Sequence, residues 1–110
     1  MTSKKYTVYW TKIAQDDLIE IIEYISLDNL NTAEEIFEKF KKQTIKLENF
    51  PERGRTVPEL DFHNISNYRE LIITPWRIVY RIEGQKVHIL SMIDSRRNFE
   101  DIILKRLLRN

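Results

Sequence analysis

Between Trp76 and Ile93 apolar and β-branched residues alternate with arginine, lysine and histidine, a period of two that predicts two strands, Trp76 to Glu83 and Lys86 to Ile93. Gly84-Gln85 separates them as a two-residue loop suited to a primed hairpin turn. Such a loop sets the register: Glu83 opposite Lys86, Arg81 opposite His88, Val79 opposite Leu90 and Arg77 opposite Met92. One face of the hairpin is then charged. The other collects Ile78, Tyr80, Ile82, Val87, Ile89 and Ile93 and requires helices over it. Tyr68 to Ile73 predicts a third strand, ended by Thr74-Pro75 because proline has no donor for a ladder.

The period changes upstream and downstream of this sheet. Lys5 to Trp10 is aromatic and β-branched, a short strand for the sheet's edge. Thr11 caps the helix that follows, in which Ala14, Leu18, Ile21, Ile22 and Ile25 recur at helical spacing and Asp16 and Asp17 suit the positive end of the dipole. Asn31-Thr32-Ala33-Glu34 has the spacing of a capping box and predicts a second helix to about Asn49, antiparallel to the first. Phe50 to Asn67, with Pro51, Gly54 and Pro58, predicts an ordered loop over the surface. Asn98 caps a last helix that runs to the end of the sequence, its apolar residues covering more than one stripe. The fold class is α+β: a twisted, mainly antiparallel sheet with an N-terminal strand, a two-helix hairpin and a C-terminal helix.

Composition narrows the functional classes. A sequence of 110 residues, 42% hydrophobic, has material for a single core, so residues 1–110 are expected to form one domain. Eighteen basic and 17 acidic residues leave a net charge of +1, so any contact with nucleic acid must be local. Cysteine is absent, which removes disulfides, thiol catalysis and thiolate metal sites and fits a reducing compartment. No apolar run has the length of a membrane span or a signal-peptide core, so the expectation is a cytoplasmic protein without membrane contact. The two histidines lack ligand spacing and no glycine-rich phosphate loop occurs, so neither a metal nor a cofactor is expected.

Particular residues along this order of elements resemble the toxins of bacterial type II toxin–antitoxin modules in the RelE/ParE superfamily. Ala14, Asp17-Leu18 and Tyr24-Ile25 are similar to the first-helix signature, and Pro51-Glu52-Arg53-Gly54-Arg55 with Glu59-Leu60 to the loop signature. Tyr68-Arg69-Glu70-Leu71, Arg77-Ile78-Val79-Tyr80-Arg81, Val87-His88-Ile89-Leu90 and Ser95-Arg96-Arg97 follow the sheet and its exit. The long helix hairpin and the PxxGR loop resemble the ParE branch, whose members poison DNA gyrase. The RelE branch cuts messenger RNA on the ribosome. The resemblance thus implies a growth-inhibiting toxin of the plasmid-stabilisation kind that acts on gyrase and is neutralised by a cognate antitoxin, with a ribosome-dependent mRNA endoribonuclease as the alternative. A degenerate relative that only binds antitoxin is the third reading. Either a homodimer or a toxin–antitoxin hetero-oligomer is compatible with it.

The nuclease reading can be tested on the residues. RNA cleavage through its own 2′-hydroxyl needs a base, an acid and cations around the charge that builds at phosphorus. By the resemblance Arg77 and Arg96 match arginines of RelE-type enzymes and are the catalytic pair this metal-independent chemistry would use, while Arg69 stands where those enzymes carry a lysine. Their second lysine falls at Leu71, their helix tyrosine near Ile102, and the histidine before the last arginines is Asp94 here. His88, Asp94 and Glu70 are the substitutes on offer. Arg69, Arg77, Arg81, His88, Arg96 and Arg97 form the candidate target-binding set; the plainer reading of Arg77, Arg81, Lys86 and His88 is the solvated side of an antiparallel sheet. Arg53 and Arg55 are expected to secure the loop through carbonyls or carboxylates, and His63 has no visible partner. Leu104, Leu107 and Leu108 on the last helix are the candidate antitoxin contacts, left uncovered for an amphipathic segment that folds on binding.

Overall fold

Gly84 adopts φ of 60°, the left-handed value that a two-residue hairpin loop with glycine first demands, and it joins the two longest strands. The computed structural model describes residues 5–108. Their elements in order are β1 (Thr7–Trp10), α1 (Lys12–Asp28), α2 (Leu30–Ile45) ending in a 3₁₀ turn (Lys46–Glu48), β2 (Arg55–Thr56), α3 (Pro58–Phe62), β3 (Tyr68–Ile73), β4 (Trp76–Glu83), β5 (Lys86–Asp94) and α4 (Phe99–Leu108). The sheet order is β1-β5-β4-β3-β2, antiparallel except for β1, which lies parallel to β5 at one edge. The mixed α+β class and the mainly antiparallel sheet are as the sequence implies.

Helix caps were legible at two of the four starts. Thr11 caps α1 by accepting from the Ala14 amide, and the Asn98 side chain accepts from Asp101 at the head of α4. The cap of α2 is Asn29 and not Asn31: its side chain accepts from the Thr32 amide at 3.0 Å, which starts the helix two residues earlier and leaves almost no connection between the hairpin's arms. Phe50 to Asn67 is more than a surface loop. It carries β2 and α3, and Val57 and Leu60 within it are fully buried. Arg109 and Asn110, in the sequence segment assigned to the last helix, lie outside the described residues.

The register holds from the turn through Arg81 opposite His88 to Tyr80 opposite Ile89, then shifts. Leu90 is an extra residue on β5, so Val79 faces Ser91 and Arg77 faces Ile93; the pairings of Val79 with Leu90 and Arg77 with Met92 do not occur. The bulge also reverses the alternation beyond it. Met92 joins Ile78, Tyr80, Val87 and Ile89 under α1 and α2, together with Ala14, Phe40 and Leu47. Ile93 turns to the opposite side and packs with Val79, Val57, Leu60, Phe99 and Ile103. The second face is therefore a core layer beneath α3 and α4, and not an open charged surface.

Past the end of β1, the edge of β5 is closed by side chains of α1 rather than by another strand. Thr11 Oγ1 donates to the Leu90 carbonyl at 3.3 Å, and the Met92 amide donates to Asp17 Oδ2 at 2.9 Å. Arg106 reaches from α4 and donates to both oxygens of Asp17, at 2.7 and 3.0 Å. One buried carboxylate thereby ties together α1, the sheet and α4.

Candidate functional site

Arg77 projects from β4 into the second core layer and is only 8% exposed. Its Nε donates to Glu70 Oε1 at 2.7 Å and its Nη2 to Glu70 Oε2 at 3.0 Å. On the other side Nη1 and Nη2 donate to the two Glu59 oxygens at 2.8 and 2.6 Å. The guanidinium also lies 3.5 Å above the Phe99 ring. Four of the five donors are thus held by carboxylates of this same chain. Burial opposes the charge of Arg77, but the hydrogen bonds of Glu59 and Glu70 outweigh it and raise the group's proton affinity. Glu59 answers in the opposite direction: the Arg77 hydrogen bond holds its carboxyl below the ordinary range. Arg55 Nε completes the cluster at 2.8 Å from Glu70 Oε2.

The loop Pro51-Glu52-Arg53-Gly54-Arg55 is fastened to the sheet by the same type of contact. Tyr80 donates its hydroxyl to the Pro51 carbonyl at 2.7 Å and accepts from the Gly54 amide at 2.9 Å. A β-carbon on Gly54 would stand 2.5 Å from the Glu70 carbonyl oxygen and 2.6 Å from Tyr80 Oη, so only glycine fits this approach. Arg53 bonds to Gln43, and Arg69 donates to the Gly54 carbonyl at 2.8 Å. Burial raises the pKa of the Tyr80 phenol. The loop arginines anchor as expected, and Arg69 joins them.

Arg96 and Arg97 behave differently: both are exposed, in the turn that leaves β5. Asp94 receives the Arg96 backbone amide at 2.9 Å and its Nε and Nη2 at 3.0 and 2.6 Å. Those hydrogen bonds from Arg96 hold the Asp94 carboxyl down at about 2, so it is a weak base at neutral pH. Beside this corner lies a cavity of about 470 Å³ lined by Tyr24, Trp76, Met92 and both arginines among others.

Arg81 and His88 occupy a third place, the turn-proximal end of the sheet, where they face one another across β4 and β5. The six residues of the candidate target-binding set therefore divide into three pairs: Arg69 and Arg77 hold the fold together, Arg81 and His88 share a recess, and Arg96 and Arg97 form an exposed basic corner. Nothing brings Arg81 or His88 to the corner. His63, unpartnered in the sequence reading, lies 3.1 Å from Glu100 Oε2. Among the described residues no group of three His, Asp or Glu side chains could hold a metal ion, and no helix is long and apolar enough to cross a membrane.

The family model described as the ParE toxin of the type II toxin–antitoxin system parDE matches residues 8–99. The chain belongs to this ParE toxin family. Among solved structures, a chain of the chromosomal ParDE toxin–antitoxin system from P. aeruginosa is similar, with a TM-score of 0.65 at 22% identity over 84% of this chain and 98% of that one. A chain of the toxin–antitoxin complex RelBE2 from Mycobacterium tuberculosis has a TM-score of 0.60 at 20% identity, covering 82% of this chain and 98% of that one. None of the curated protein sequences matches. Likeness to both kinds of complex establishes the RelE/ParE fold and, at such identities, nothing finer.

For a ParE toxin, the apolar surface is the remaining feature of interest. Leu104 and Leu107 are half-buried against the core layer under α4, so of the three candidate contacts only Leu108 stands fully exposed. The helix covers the sheet face that the hairpin does not, and this uses the extra apolar width. A groove that sequence reasoning missed runs between α1, α2 and the end of β1. Trp10, Leu18, Ile19, Phe37 and Phe40 line about 460 Å³ there, with Lys41 at its margin. Its signal was available: Ile19 falls off the stripe of Ala14, Leu18, Ile21, Ile22 and Ile25, and Phe37, on the apolar stripe of α2 with Phe40, is left exposed at its edge.

Proposed function

We propose that this ParE-family toxin arrests growth by binding DNA gyrase and not by cutting RNA, and that a cognate antitoxin neutralises it. One observation carries the choice: Arg77, the cation the nuclease reading places at the scissile phosphate, is buried with its donors held by Glu59 and Glu70. To reach a phosphate it would have to abandon two carboxylates and leave Glu70 charged in the core. Arg96 alone remains exposed among the catalytic pair, and its neighbour Asp94 is too acidic to take a proton from a hydroxyl. What remains is a basic corner, Arg96 with Arg97, suited to gripping an anionic surface of the target.

The antitoxin in this reading lays the apolar side of a segment into the groove of Trp10, Ile19 and Phe37, with an acidic residue against Lys41. Leu108, at the end of α4, is a second contact. Expression from a tightly controlled promoter, with protein synthesis and the supercoiling of a plasmid followed over the first minutes, tests the function. Loss of supercoiling while translation continues is the expected result. Translation arrest with supercoiling intact would overturn it in favour of the ribosome-dependent nuclease. Normal growth would leave a relative that only binds antitoxin.

A further inference from the structure

We infer that the recess at the turn-proximal end of the sheet is a binding site for a carboxylate carried on an apolar stem. Register assembles it: Tyr68 on β3, Arg81 on β4 and His88 on β5 stand directly opposite one another and share the face that α4 covers. The bulge places Leu90 beside them. Leu107 of α4 and Thr11 at the head of α1 complete a cavity of about 410 Å³. Tyr9 stacks on the His88 ring with centroids 5.6 Å apart, which fixes the plane of the imidazole.

Within this recess Arg81 Nε and His88 Nε2 are both shielded from solvent and both without a hydrogen-bond partner among the described residues. A buried polar group left unpaired is costly, and two on one wall mark a place where an acceptor belongs. Arg81 Nε–H can only donate and carries positive charge, so its complement is an anionic oxygen. His88 Nε2 presents a proton as the imidazolium or in one neutral tautomer, and the two oxygens of one carboxylate can serve the two nitrogens. Leu90 and Leu107 then decide between anions: they offer a methylene stem contact and offer a hydrated phosphate nothing. Glu83 is the internal competitor. It is exposed and lies 3.5 Å from Arg81 Nη2 and 3.9 Å from His88 Nε2, near enough to attract both and too far to bond either.

The test follows the Arg81 Nε–H and His88 ring signals of the full chain by NMR while butyrate, inorganic phosphate, 1-butanol or the capped peptide acetyl-leucyl-glutamate amide is added. The expected result is a saturable shift of both signals with butyrate and with the peptide, none with butanol, and weaker binding of phosphate. The tighter of the two carboxylates tells whether the natural source is a peptide or a small free acid. Arg81→Gln should weaken butyrate by at least about tenfold. Glu83→Gln, an exposed change that leaves the fold alone, should tighten it severalfold by removing the competitor. The inference is overturned if butyrate leaves both signals unmoved, if phosphate binds as tightly, or if Glu83→Gln abolishes the shift.

Discussion

Arg77 and Arg81 stand four residues apart on β4 and point to the same side of the sheet, yet they meet opposite surroundings. Around Arg77 the chain supplies Glu59 from α3, Glu70 from β3 and the Phe99 ring from α4, so charge, donors and the flat face are all occupied. Around Arg81 it supplies Tyr68, Leu90 and Leu107, and among the described residues Nε has no acceptor. The same residue type on the same strand is a fastener at one end and an open receptor at the other. The neighbouring elements decide which, and the strand's own alternation cannot.

Removing the two guanidiniums separately is the sharpest way to break this contrast. Arg77→Ala strands the fully buried Glu70 beside Arg55 alone and frees Glu59, and breaking a buried pair from one side costs about 3–5 kcal/mol. Urea denaturation should show that loss. Arg81→Ala removes no closed hydrogen bond and should cost less than about 1 kcal/mol. Equal losses would mean that the two arginines do the same job.

Acid gives the second largest effect, with a definite sign. Glu59 has its folded pKa lowered by the Arg77 hydrogen bond, so its contribution to stability is complete above the ordinary value of 4.5 and is lost as pH falls through the lower folded value. The gap in stability between wild type and Arg77→Ala should therefore narrow below pH 4.5. A gap that stays constant down to the acid transition would show that Glu59 is not coupled to Arg77.

Smaller again is the effect of filling the Gly54 approach. Gly54→Ala forces a methyl within 2.5 Å of the Glu70 carbonyl and 2.6 Å of Tyr80 Oη, and overpacking of this kind costs about 1–3 kcal/mol. Tyr80→Phe keeps the volume and leaves the Gly54 amide without its acceptor, about 1–2 kcal/mol by the same measurement. Gly54→Ala at wild-type stability would show that the loop can lift from the sheet, which would weaken the case for a fixed Arg77 cluster.

Much of this arrangement was legible in the sequence, for identifiable reasons. The strands around Gly84-Gln85 were bounded to within one residue, β5 running on to Asp94, because alternation and a two-residue turn are both local signals. Leu90 hid the bulge, since an apolar residue between Ile89 and Ser91 looks like ordinary strand, and with it went the facing of Met92 and Ile93. Nor could the fate of Arg77 be seen: Glu59 is 18 residues away on a helix hidden within what reads as a loop. Family resemblance pointed to Arg77 and Arg96 together, and only burial separates them. The carboxylate of Asp17 read as a favourable charge at a helix start, whereas it closes a strand edge 75 residues away.

The basic corner provides the smallest effect on the fold and the most direct link to function. Arg96 is three-quarters exposed, so solvent screens its pair with Asp94, and Arg96→Gln should leave the denaturation midpoint unchanged within error. The Asp94 carboxyl reports the change instead: it is held at about 2 by Arg96, and in the variant an NMR titration should find it near the ordinary 3.8. Because the folded value lies below the unfolded one, any stability the pair supplies is present at neutral pH and lost only as acid carries Asp94 from 3.8 towards 2. Growth inhibition, by contrast, should fall sharply with Arg96→Gln and further with Arg97→Gln, since an exposed guanidinium ordered by one carboxylate is ready for a target. If both variants inhibit growth as well as wild type, the contact with the target lies elsewhere, and the recess at Arg81 is the next surface to try.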